Sequence, residues 1–156
     1  MIPTISKNKN FYCIGLSYLK ADATMRGMFS LTPENKQALL TQARSEGFEE
    51  LLVISTCNRT ELYGYADHPF QLIQLLCEYS KGSVDDFQKV GYVNKGKEAV
   101  QHLFEVGTGL NSQILGDFEI IGQMKQAFAL SRDKGLANAF LERLMNSVIN
   151  ASKRIK

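Results

Sequence analysis

The chain has 156 residues, 44% of them hydrophobic and 22% charged, and a formal net charge of +2. That is a one-domain length with apolar residues spread throughout, which excludes a disordered chain, and the charge is too small to mark a general RNA-coating protein. No apolar run approaches the roughly 18–20 residues of a membrane span, residues 1–10 lack a signal-peptide stretch, and the expected location is cytoplasmic.

Phe11 to Leu16 is a short β-rich run, read as the first strand. Thr32-Pro33-Glu34 opens a helix, with Thr32 as cap, Pro33 in the first turn and Glu34 at the positive end. Leu39, Leu40 and Ala43 give it an apolar face, and Gly47 stops it. Leu51-Leu52-Val53-Ile54 is continuously apolar and reads as a strand buried on both faces. Ser55 to Thr60 breaks it, and Leu62 to Ala66 is the next strand.

Asp67-His68-Pro69 begins another helix, with Phe70, Ile73, Leu76 and Cys77 along one face and Gly82 at its end. A weaker strand is expected over Lys89 to Val93. From Gly96 the pattern is helical, with Ala99, Val100, Leu103, Phe104 and Gly107 on one face. Asp117 is expected to cap a helix bearing Ile121, Met124 and Phe128, which Gly135 closes. A last helix runs from Leu136 toward Lys156 without a stop signal, as in a chain that continues, although a chain end is also a legitimate helix end. Strands alternate with helices in the first half and helices fill the second, which suggests an α+β sandwich with a helical extension.

Cysteines 13, 57 and 77 are odd in number and form no CxxC, so neither a disulfide framework nor a metal site is expected, and His68 and His102 do not pair at ligand spacing. The chemistry concentrates in Ser55-Thr56-Cys57-Asn58-Arg59-Thr60-Glu61. A strand ends and delivers a cysteine into a polar loop, with a cation two residues on. A nearby cation favours the thiolate, and a guanidinium can also grip a carboxylate in a fork. Thr56, Asn58 and Thr60 add donors. The alternative is a buried structural cysteine at a strand end. Cys13 and Cys77 sit in apolar patterns and read as core. His102 falls at the edge of an apolar helical face, where it is either a satisfied core-edge residue or an active-site group. Gly107-Thr108-Gly109 follows a helix instead of a strand and reads as a helix-ending turn, not a dinucleotide loop.

Residues 55–63, Ser-Thr-Cys-Asn-Arg-Thr-Glu-Leu-Tyr, resemble the nucleophile motif of glutamyl-tRNA reductases. Residues 99–112 resemble that family's histidine helix and its following turn, and residues 115–128 follow in the family's order and spacing. The whole chain is similar in length to the family's N-terminal domain. The fold expected is α+β, a ferredoxin-like α/β sandwich with a C-terminal helical extension, over a single domain of residues 1–156.

The resemblance implies roles. Cys57 would be the nucleophile and His102 the active-site histidine, bonding the ester or giving a proton to the departing hydroxyl. Thr56, Asn58, Arg59, Ser112, Asp117, Phe118, Glu119 and Gln123 would stand at substrate-binding positions, with Arg59 the partner of a substrate carboxylate. Asp117-Phe118-Glu119 departs from the family's usual Glu-Pro-Gln, and Asn111 stands where aspartate is usual. The implied reaction forms a glutamyl thioester on Cys57 from glutamyl-tRNA. The full-length enzyme then reduces it with NADPH to glutamate-1-semialdehyde for tetrapyrroles such as haem. The NADPH-binding and dimerisation domains of the full-length family are expected to lie outside this chain, so this domain alone would not bind NADPH. Implied partners are glutamyl-tRNA, a second copy in the full-length dimer, and a downstream glutamate-1-semialdehyde aminomutase. The rivals are another thiol enzyme, such as a cysteine hydrolase, and an RNA-binding module using its sheet.

Overall fold

A computed structural model of the chain describes residues 9–110 and 119–155. Its elements in order are β1 (Asn10–Ser17), α1 (Ala23–Phe29), α2 (Pro33–Ser45), β2 (Leu51–Ser55), β3 (Arg59–Ala66), α3 (Pro69–Tyr79), α4 (Val84–Val90), β4 (Tyr92–Lys95), α5 (Lys97–Gly107), α6 (Glu119–Asp133) and α7 (Ala139–Ile155). The sheet order is β2-β3-β1-β4, and every neighbouring pair is antiparallel. That order, with helices crossing from β1 to β2 and from β3 to β4, is the ferredoxin-like arrangement. The expected α+β fold class is therefore the one observed.

Period-two alternation sends successive side chains to opposite faces. Tyr12, Ile14, Leu16, Leu51, Val53 and Leu62 point to a core closed by α1–α4. Phe11, Cys13, Leu52, Ile54 and Tyr63 point to a second core closed by α5, α6 and α7. The helical extension thus covers the second sheet face. It also seals the β2 edge: Ser131 Oγ donates to the Leu51 carbonyl at 2.7 Å, and the Leu51 N–H donates to the Leu136 carbonyl. No open sheet face is left among the described residues for an RNA strand to lie on.

Several expected elements shift. The strand expected over Lys89 to Val93 is instead the end of α4 followed by β4. Ser83 caps α4 by accepting from the Asp86 N–H at 3.1 Å, and Asp85 and Asp86 sit at its positive end, so capping outweighs the β-rich residues. Helix α1 goes unread in the sequence because it is short and its only strong signal is the Asp22 cap on Met25. In α3 the buried face is Leu72, Leu75 and Leu76, while Phe70 is 40% exposed. Apolar residues on several sides of that helix made its face ambiguous. His68 caps it through Nδ1, which accepts from the Phe70 N–H at 3.1 Å. Strand β3 begins at Arg59, three residues before the expected Leu62, which decides the site below. The expected cap at Asp117 lies outside the described residues.

Gly15 lies opposite Glu61 on β3 and Tyr92 on β4. A Cβ there would stand 2.4 Å from the Thr60 carbonyl oxygen and 2.7 Å from Glu61 Cγ. Backbone of a paired strand cannot yield as a side-chain tip can. Gly15→Ala is expected to destabilise the fold by about 1–3 kcal/mol, as overpacking typically does. An unchanged urea midpoint would show that β1 and β3 can separate there at little cost.

Candidate active site

The β2–β3 connection is three residues long: Thr56, Cys57 and Asn58. Thr56 Oγ1 accepts from the Asn58 N–H at 3.1 Å and from the Arg59 N–H at 3.3 Å, the local bonding by which threonine shapes turns. The Thr56 N–H donates to the Arg59 carbonyl, and the Tyr18 N–H donates to the Asn58 carbonyl. From α1, Arg26 Nε donates to the Cys57 carbonyl at 3.0 Å while its Nη1 donates to the Ala21 carbonyl at 2.7 Å. Ser55 Oγ and Thr60 Oγ1 are 3.1 Å apart below the loop. Cys57 is exposed at the tip of this tied-down turn, whereas Cys13 is buried and Cys77 half-buried.

Under the turn, β3 places Arg59, Glu61 and Tyr63 on one face by alternation. Glu61 is wholly buried. Its Oε2 accepts from Arg59 Nη1 at 3.2 Å, from His102 Nε2 at 2.5 Å and from the Tyr92 hydroxyl. Its Oε1 accepts from the Tyr63 hydroxyl at 2.7 Å. A carboxylate has about four lone-pair sites, and this one is met by four donors. Burial alone would raise its pKa, but the hydrogen bond and charge of His102, the charge of Arg59 and the Tyr92 hydroxyl together hold it below the ordinary value. In turn, burial and the nearby carboxylate push the Tyr92 phenol and the Cys13 thiol well up. Burial, Cys13 and Glu61 raise the Tyr63 phenol. The His102 ring is half-buried, 6.4 Å from the Tyr63 ring and 5.3 Å from that of Tyr92.

Cys13, Glu61 and His102 place ligand-type atoms within 4.8 Å of one another, the only such group among the described residues. Glu61 already meets donors on both oxygens and Arg59 puts a positive charge 3.2 Å away. The cluster is built as a proton-filled network and not as a cage for a cation.

Of the residues singled out in the sequence, Thr56, Cys57 and Asn58 form the turn, Arg59 lies beneath it, and His102 reaches the same Glu61 that Arg59 holds. The carboxylate gripped by Arg59 in this structure is therefore one from its own strand. Thr56 and Gln123 line one cleft of about 320 Å³ together with Lys36, Gln37, Ile54 and Gln126. Glu119 is exposed at the start of α6. Ser112, Asp117 and Phe118 lie outside the described residues.

Sequence reading missed Glu61, Tyr63, Tyr92 and Arg26 as site residues. The alternation Arg59-x-Glu61-x-Tyr63 was the available signal, hidden once the strand was started at Leu62. Tyr92 and Arg26 arrive from 31 residues away along the chain and had no local signal.

The model of the family described as Glutamyl-tRNAGlu reductase, N-terminal domain, matches residues 14–156. The chain is 66% identical over 152 residues to a protein of Christiangramia forsetii named glutamyl-tRNA reductase, covering 97% of the chain and 36% of that relative. It is 33% identical over 149 residues to the protein of that name from Pseudomonas aeruginosa, covering 94% of the chain and 35% of the relative. Among solved structures it is similar to glutamyl-tRNA reductase from Methanopyrus kandleri, with a TM-score of 0.78 and 25% identity over 93% of this chain and 34% of that one. The chain thus spans little more than a third of the length of the curated relatives it matches.

Proposed function

Because the chain belongs to the family of glutamyl-tRNA reductase N-terminal domains, we propose that it accepts glutamate from glutamyl-tRNA onto Cys57. The observation that carries this reading is an exposed cysteine held by its main chain at the tip of a braced turn, above a buried carboxylate that orients an imidazole. The thiolate is the reacting form of cysteine. It attacks the ester carbonyl, a tetrahedral oxyanion forms, the carbon–oxygen bond to the tRNA breaks, and a glutamyl thioester remains. His102 gives a proton to the departing tRNA hydroxyl. Thr56 and Gln123, which share a cleft, contact the glutamyl group; the family resemblance adds Arg59 and Ser112 as further contacts.

The Gly107-Thr108-Gly109 turn is not a dinucleotide loop. Gly107 ends α5, Gly109 turns the chain with φ +82°, and Thr108 is buried with its hydroxyl on the Phe104 carbonyl. This is a helix end, and a dinucleotide loop should follow a strand and open a helix. Reduction to the semialdehyde, the full-length dimer and hand-over to an aminomutase belong to the whole enzyme. No helix among the described residues is long and apolar enough to cross a membrane.

The test is to incubate the chain with glutamyl-tRNA, quench in acid and map the adduct by mass spectrometry. A glutamyl group on Cys57, absent with free glutamate, is the expected result. An adduct elsewhere, or none, refutes the reading, and an acyl group accepted equally from unrelated esters favours a general cysteine hydrolase.

A further inference from the structure

Glu61 does more than balance Arg59. Its carboxylate is ion-paired with Arg59 and accepts, so the imidazole nitrogen 2.5 Å away carries a hydrogen. That nitrogen is Nε2. The ring cannot swing off this bond easily, because Tyr63 stacks on it at 29° and Tyr92, itself bonded to Glu61, packs against it at 58°. In its neutral form, a ring with its hydrogen on Nε2 carries the lone pair on Nδ1, at the other edge. Among the described residues, the charged and titratable groups around it come from three strands: Cys13 on β1, Arg59, Glu61 and Tyr63 on β3, and Tyr92 on β4. Glu61 alone among them is both anionic and bonded to the ring.

We propose that Glu61 is a positioning residue that locks His102 in the Nε2–H tautomer, so that Nδ1 is the atom that moves the proton of the acyl transfer. This inference rests on the reading of Cys57 and His102 above. Nδ1 takes the hydrogen of the Cys57 thiol, giving a thiolate and an imidazolium held by Glu61. The sulfur then bonds to the glutamyl carbon, the ester carbon–oxygen bond breaks, and Nδ1 returns the same hydrogen to the departing tRNA oxygen. One proton crosses from sulfur to oxygen, nothing is oxidised or reduced, and Glu61 stays ionised throughout. A carboxylate that holds a histidine tautomer and stabilises its imidazolium serves this purpose in serine proteases.

The experiment joins nitrogen-15 NMR of the His102 ring to single-turnover transfer from glutamyl-tRNA. At a pH where the ring is neutral, Nε2 should carry the hydrogen and Nδ1 should be bare; the opposite tautomer overturns the proposal without any variant. In Glu61→Gln the tautomer preference should be lost and the rate should fall about 100-fold, the low end of what a positioned acid–base group contributes, with the tRNA concentration at half-maximal rate changed less than about threefold. A merely structural Glu61 would lower the melting temperature but leave the rate, measured well below melting, near native, and that result also overturns it. If the native chain forms no adduct on Cys57, the acyl-transfer reading itself fails; if it does and Glu61→Gln matches its rate and tautomer, only the positioning role fails.

Discussion

Replacing Glu61 with leucine is expected to lower stability by about 3–5 kcal/mol, the usual cost of stranding one member of a buried charge pair. Arg59 is 3% exposed and Glu61 0%, so neither charge can recover water when the other is removed. The Tyr63 and Tyr92 hydroxyls and His102 Nε2 lose their acceptor as well. Arg59→Met combined with Glu61→Leu should regain much of the loss, because apolar side chains of similar volume leave no unmatched charge. Denaturant midpoints of the four chains form a cycle, and simply additive costs would show that the pair is not coupled. Acid adds a second readout. Glu61 is held below its ordinary value of 4.5. A depressed carboxyl contributes stability that is complete above its unfolded-state pKa and is lost as pH falls through the folded value. The native chain should weaken from about pH 4.5 downward, and the double variant should weaken less over that window.

On the proposed function, Cys57→Ser should reduce acyl transfer from glutamyl-tRNA by about 10³-fold or more, as removal of a nucleophile does. A serine hydroxyl is a weak nucleophile at its free pKa and gains reactivity only from an adjacent base. The same substitution should leave stability within about 0.5 kcal/mol of native, since the residue is exposed. Rapid-quench transfer assays and thermal melts on one preparation separate the two effects. Native transfer by the serine chain would move the nucleophile elsewhere, and a large loss of stability would mean that the sulfur packs in a way the exposed turn does not suggest.

Much of this architecture was legible in local chemistry. Thr32-Pro33-Glu34 caps α2, with Thr32 Oγ1 accepting from the Asn35 N–H at 3.1 Å. The unbroken run Leu51 to Ile54 is buried on both faces because helices lie on each side of the sheet. Cys57 stood out because a strand end and a polar loop expose a thiol. The supporting charges were not legible for a physical reason. Arg59 and Glu61 look like surface residues in isolation, and only pairing of β3 with β1 puts them inside. The gap that admits Glu61 is made by Gly15, more than forty residues earlier, and the phenol that closes it comes from β4. Interactions set by strand register are long-range facts that a window along the chain does not contain.

The bonds that shape the turn at residues 56–58 run through main-chain atoms, the Thr56 hydroxyl and the Arg26 guanidinium; none of those described uses the Cys57 sulfur. The scaffold is therefore indifferent to what is grafted at that point. Selenocysteine, or a fluorophore attached through the thiol, could be installed there with the loop unmoved, and the same position would then report on the approach of the proposed tRNA substrate by quenching or colour change.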